Sequence, residues 1–181
     1  MKSLYSEKEL NSNLKFDGKC ITVKTYDVEL SNGEKSYREI VHHPGGVVVV
    51  AQKDKNTILM VKQYRFAIKQ ESLELPAGRL EKGENPDDAI KRELEEETGY
   101  NAMIWKSLGY IYTSPGVFDE KLYLYYATDL SFNRQHPDEN EIIDYFEYNI
   151  DEILTKIDSG EINDSKTLCG IYRALRNGYL K

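Results

Sequence analysis

One stretch limits what this chain can fold into more than any other: Gly78 to Tyr100, GRLEKGENPDDAIKRELEEETGY. It reads as a glycine turn followed by a helix with marked ends. Asn85 is placed to cap the helix, and Pro86 to take its first position, where a missing N–H costs nothing. Asp87 and Asp88 fall at the positive end of the helix dipole. Ala89, Ile90 and Leu94 supply an apolar stripe, and Gly99 stands where a left-handed residue would end the helix. Glu93, Glu96 and Glu97 lie at i, i+3 and i+4, so they share a face. Like charges at that spacing repel by roughly 0.2–0.5 kcal/mol per pair. Such a face is either a wet acidic surface or an oxygen-rich seat for a hard divalent ion, Mg2+ first. Arg92 can offset the repulsion through Glu96 or reach back to Glu84, while Glu95 points toward solvent.

The spacing decides between those two readings. Gly78 is followed by five residues and Glu84, then seven residues and Arg92-Glu93-Leu94-x-Glu96-Glu97-x-Gly99-Tyr100. This resembles the Nudix box at every fixed position; Tyr100 is a soft departure, where an aliphatic residue is commoner. The resemblance implies an α/β fold, an α/β/α sandwich around a mixed sheet. It implies an enzyme that cleaves a nucleoside diphosphate linked to another group. By the same resemblance Glu93 and Glu97 are the principal metal ligands, and Glu96 is a further ligand or a neighbour one step removed. Ala77 contributes its backbone carbonyl. Gly78, Glu84, Arg92 and Gly99 are structural. The metal is Mg2+, with Mn2+ as a substitute. The general base is expected from an acidic loop beyond the box. Asp138-Glu139-Asn140-Glu141 stands at a matching place, with Glu139 as base and Glu141 as an added ligand, or with the roles exchanged.

Weaker likenesses extend along the chain. Pro115, about 15 residues past the box, stands where the ADP-ribose group of the family carries a proline. Arg38-Glu39-Ile40, Gln63-Tyr64-Arg65 and Leu75-Pro76-Ala77-Gly78 resemble that group's pattern. Arg65 would then contact the diphosphate or ribose, where a planar guanidinium suits bidentate recognition. Arg38 and Glu39 would reach the adenine region, from this subunit or its partner, and Arg79, Ser114 and Gly116 would line the substrate. The expected reaction is hydrolysis of ADP-ribose to AMP and ribose 5-phosphate. The alternatives are another nucleoside diphosphate sugar as substrate, or a non-catalytic ADP-ribose sensor.

The remaining chain reads as mixed strands and helices. Residues 1–15 are polar and expected to be loosely held. Phe16 to Arg38 turns to strands, with a strong turn signal at Ser31-Asn32-Gly33. Residues 1–42 thus form a small N-terminal antiparallel β-sheet, and 43–181 the hydrolase domain. Related pyrophosphatases use such a sheet to build a swapped dimer, so a homodimer is implied. Val47 to Ala51 is a continuous apolar run suited to a buried strand. Thr57–Tyr64, Glu71–Leu75, Met103–Tyr112, Lys121–Thr128 and Ile142–Tyr148 read as further strands. Asp151 is expected to cap a helix stopped by Gly160, and Asp164 to cap the last helix. The net charge of −7 argues against nucleic-acid or anionic-membrane partners. Two distant cysteines and no apolar leader point to a cytoplasmic protein.

Overall fold

Val47 to Ala51 lies at the centre of the fold because its side chains alternate into two separate cores. In the computed structural model, which describes residues 5–135 and 142–181, strand β4 (Gly46–Ala51) is buried along its whole length. Val48 and Val50 point into one apolar cluster, and Val47, Val49 and Ala51 into another. Strand β5 (Thr57–Arg65) divides in the same way, with Ile58 and Met60 to one side and Leu59 to the other. An unbroken apolar run is thus what a strand covered on both faces requires.

The covers are helices. Helix α1 (Pro86–Thr98) packs Ala89, Ile90 and Leu94 on the face shared with Val47 and Val49. Helices α2 (Ile150–Asp158) and α3 (Ser165–Arg176) bring Ile150, Ile153, Ile171 and Ala174 to the opposite face. The layers are therefore α/β/α. Two sheets lie between them, one mixed and one antiparallel. One runs β7 (Ala77–Arg79), β4, β9 (Lys121–Phe132), β8 (Tyr100–Tyr112), with β4 parallel to β9 and antiparallel to β7. The other runs β10 (Asp144–Asn149), β5, β6 (Gln70–Glu74), all antiparallel.

The chain divides into two compact units. Met1–Gly45 with Tyr112–Lys121 form one, and Gly46–Ile111 with Leu122–Lys181 the other. The first holds an antiparallel sheet of β1 (Glu7–Asp17), β2 (Thr22–Leu30) and β3 (Lys35–His42). Gly33 turns the β2–β3 hairpin at φ 89° and donates its N–H to Leu30. In this unit Tyr112–Lys121 is tied to β3: Val41 N–H donates to Val117 O at 2.8 Å, and Asp119 N–H to Val41 O at 3.1 Å.

Two expectations are corrected. Residues 7–15 are not a loose lead-in. Glu7 pairs with Leu30 and Asp17 with Thr22, through two register shifts. Every residue of β1 is exposed, so backbone pairing rather than an alternating buried face defines it, and hydrophobic pattern carried no sign of it. Nor does Asp151 cap α2. Asn149 does, accepting from Asp151 N, and Glu152 reaches back to Asn149 N at 3.0 Å in a reciprocal box. Gly160, at φ 78°, follows the helix end. Among the described residues no helix is long and apolar enough to cross a membrane.

Candidate active site

Local sequence builds the site helix. Asn85 accepts from Asp87 N at 2.9 Å, Pro86 opens α1, and Gly99 closes it at φ 75° with its N–H on Glu95 O. With Ala89, Ile90 and Leu94 fixed in the core, the helical repeat aims Glu93 and Glu97 at the short strand β7. Glu97 is 3% exposed and accepts a hydrogen bond from Ala77 N at 2.9 Å. Glu93 lies against Gly78, where any Cβ would overlap its carboxylate. Gly46, across β4, has no more room: a Cβ there would meet Gly78 O at 2.7 Å. Gly78 is therefore glycine because the Glu93 carboxylate takes the place of a side chain, and Gly46 because the Gly78 carbonyl does.

Arg92 organises the remaining acids. Its Nε and Nη2 donate to the two oxygens of Glu84, each at 3.0 Å. Its Nη1 donates to Glu93 and to Glu96, each at 2.8 Å. Glu84 and the two other carboxylates hold the guanidinium proton more tightly than usual against partial burial, and Arg92 in turn lowers the Glu84 pKa. Glu84 also accepts from Glu81 N, so the loop leading to the helix is fastened to the helix itself. Glu95 does not simply face water; it accepts from Asn133 Nδ2.

The donors suit a hard divalent ion. Glu93 and Glu96 converge on one cationic nitrogen of Arg92, and Glu97 sits on the same side of the helix. Among the described residues, however, no three acidic or imidazole side chains form a ready-made cage. Arg92 engages Glu93 and Glu96, and Ala77 N–H takes one oxygen of Glu97. A metal at this face would compete with Arg92 for Glu93. Glu139 and Glu141 lie outside the described residues.

Arg65, at the end of β5, is not free. Its Nε donates to Glu74 Oε1 at 2.8 Å and its Nη2 to Glu74 Oε2 at 2.6 Å. Glu74 is 2% exposed, and Lys166 of α3 binds its Oε2 from the other side. Burial alone would raise the Glu74 pKa, but Arg65 and Lys166 outweigh it and bring it down to about 2. Glu74 holds the Arg65 proton above its ordinary range against partial burial, with Asp164 and Glu97 adding to the effect. The sequence reading passed over Glu74; its one signal was a carboxylate inside an apolar Leu-Glu-Leu run before Pro76.

The other candidate contacts are distributed. Arg79 is exposed, pairs with Gly46, and offers its carbonyl to Arg92 Nη2 at 3.5 Å. Arg38, Glu39, Ser114 and Gly116 belong to the N-terminal unit. There Arg38 is held by Glu7, by Ser36 Oγ and by Tyr37 O, Glu39 is exposed, and Ser114 O accepts from Val117 N and Phe118 N. Space around Gly116 is open. A separate concavity is lined by Asp87, Ile90, Trp105 and Tyr125 among others, and by none of the glutamates of α1. Its Tyr125 hydroxyl and Trp105 Nε1 are already bonded, to Asp87 and Ala102 O.

Comparison with known proteins agrees with this layout. The family model described as NUDIX domain matches residues 42–169. An ADP-ribose pyrophosphatase of Bacillus subtilis (strain 168) is 43% identical over 173 residues, 94% of this chain and 93% of the relative. A methanol dehydrogenase activator of Bacillus methanolicus is 44% identical over 173 residues, 94% of each chain. A solved structure titled as an ADP compounds hydrolase superposes with a TM-score of 0.84 at 22% identity, covering 97% of this chain and 96% of that one; at that identity it speaks for the fold. With this fold, this helix and this matched span, the chain belongs to the Nudix hydrolase family.

Proposed function

We propose that this Nudix hydrolase splits the diphosphate of ADP-ribose with water, giving AMP and ribose 5-phosphate, in a reaction that depends on Mg2+. The observation that carries the reading is the near full-length likeness to an ADP-ribose pyrophosphatase, supported by the acidic face of α1 beside the Ala77–Arg79 turn. Glu93 and Glu97, with Glu96 and the Ala77 carbonyl, would hold the metal. When bound, Mg2+ would neutralise the diphosphate and lower the pKa of a water molecule, which matters on a chain of net charge −7.

The protein groups do the rest. Gly78 leaves room for the Glu93 carboxylate beside the turn. Arg92 keeps Glu84, Glu93 and Glu96 together until substrate arrives. Arg65 orients the diphosphate or ribose, and Arg79, Ser114 and Gly116 contribute further contacts. Arg38 and Glu39 recognise the adenine end. Glu139 takes the proton of the attacking water, with Glu141 as an added ligand or in the reverse role; a base must come within about 3 Å of that water. Residues 1–42 serve as a dimerisation segment, in keeping with exposed Leu14, Phe16 and Tyr37 on that sheet. The protein works in the cytoplasm, without nucleic-acid or membrane partners.

The test is to incubate the purified protein with ADP-ribose and a panel of nucleoside diphosphate sugars, with and without Mg2+, and to identify the products. AMP and ribose 5-phosphate formed only with metal are expected. Preference for a guanine nucleotide, or ADP-ribose binding without turnover, would overturn the reading. Hydrolysis in 18O-labelled water is expected to label AMP, marking attack on the adenosyl phosphorus.

A further inference from the structure

Glu74 is an expensive residue to keep. It is a fully charged carboxylate at 2% exposure, and burying an ion costs several kcal/mol unless it is well paired. Its partners come from two elements far apart in sequence: Arg65 on β5 and Lys166 on α3. Lys166 also reaches Asp164, the cap of α3, at 3.0 Å. Thr167 Oγ1 donates to Asp164 and accepts from Leu75 N at 2.9 Å, the residue next to Glu74. The first turn of α3 thus grips β6 immediately before Pro76, Ala77 and Gly78.

The pairing with Arg65 has a direction. Glu74 takes the Nε and Nη2 side of the guanidinium. Nη1 has no partner among the described residues, and the Arg65 side chain is 40% exposed. A planar fork clamped along one edge by a buried carboxylate cannot swing. Its remaining donors are held out from the protein in one orientation, and the Glu74 that holds them stands three residues before Ala77, whose N–H binds Glu97.

From this geometry we infer that Glu74 is a positioning residue for the reaction: backed by Lys166, it fixes the Arg65 guanidinium so that its open edge meets an anionic oxygen of the diphosphate substrate beside the carboxylates of α1. The inference rests on the proposed hydrolase reading. Glu74 touches no substrate and acts only through Arg65. Rigid presentation matters because a small misplacement of a binding group costs on the order of 100-fold in rate.

A double-mutant cycle tests this. Glu74→Gln, Arg65→Met and the double variant are compared with wild type for kcat and KM on ADP-ribose, with folding followed separately by circular dichroism and chemical denaturation. Glu74→Gln is expected to lower kcat/KM by about tenfold or more. In the Arg65→Met background the same change should have no further effect on kcat/KM, whatever it does to stability. Losses that multiply would overturn the inference, since Glu74 would then act independently of Arg65. If Glu74→Gln does not fold, Glu74→Asp replaces it in the cycle; it keeps the charge and withdraws it by one methylene. The Arg65 Nε–H resonance is a second readout: protected and shifted downfield in the wild type, lost from that position in either Glu74 variant. An Arg65 Nε–H that exchanges freely in wild type would also overturn it. Wild type inert on ADP-ribose overturns the substrate reading alone, and the cycle then runs on the panel member that is cleaved. If none is cleaved, ADP affinity measured by calorimetry replaces kcat/KM, with the same criterion of additivity.

Discussion

At the scale of single residues, two positions separate chemistry from packing. Glu97 is buried, and one of its carboxylate oxygens accepts from Ala77 N. Glu97→Gln keeps that acceptor and the size of the side chain, so the protein should stay folded, with a loss of unfolding free energy of at most about 1–3 kcal/mol. Turnover of ADP-ribose should fall by at least about 100-fold, the upper range for residues that merely support a metal ligand. Activity near wild type in a folded Glu97→Gln protein would remove Glu97 from the site. Gly78→Ala behaves in the opposite way. The new methyl occupies the space of the Glu93 carboxylate, so a denaturant titration should show a loss of about 1–3 kcal/mol from overpacking. The displaced Glu93 should raise the Mg2+ concentration needed for half-maximal rate. The place of Glu93 on the acidic face of the helix was legible from its spacing. The reason for Gly78 was not, because it depends on how closely the Glu93 carboxylate of α1 approaches β7.

Among the elements, α1 was the most legible. Its caps, acidic first turn and buried stripe all depend on neighbours within four residues, and all stand where the sequence put them. The junction of β6 with α3 was illegible, since Glu74 and Lys166 are 92 residues apart. That junction carries a pH prediction. The Glu74 pKa falls from its ordinary 4.5 to about 2 on folding. A depressed carboxylate stabilises the fold above its unfolded pKa, and loses that contribution as pH falls through its folded one. The stabilisation, on the order of 3 kcal/mol, should therefore be complete above about pH 5 and gone near pH 2. Denaturation midpoints across that range should drop less steeply in Glu74→Gln, which has nothing there to titrate; identical slopes would assign acid sensitivity elsewhere.

For the whole molecule, the N-terminal sheet poses the largest question of assembly. Leu14 is 57% exposed, Phe16 54% and Tyr37 52%, an apolar display that a lone subunit gains nothing by making. Leu14→Lys with Phe16→Lys should convert the proposed dimer to monomer in sedimentation velocity, leaving α1 and its core intact by circular dichroism. Chelation by EDTA should abolish hydrolysis without changing the sedimentation coefficient, and added Mg2+ should restore the rate; activity that survives exhaustive chelation would count against the metal. The sequence alone determined the Nudix helix, its ends and the shared acidic face, because those are set by backbone repeat and short-range capping. It also announced the doubly covered strand β4, because burial on both faces demands an unbroken apolar run. Only the tertiary structure decided that Arg92 would reach Glu84 in the loop while also holding Glu96, that Glu93 would fill the space beside Gly78, and that a buried Glu74 would hold Arg65 in place. Each of these depends on distances between elements, and an ion pair across 92 residues leaves no period in the chain to be read.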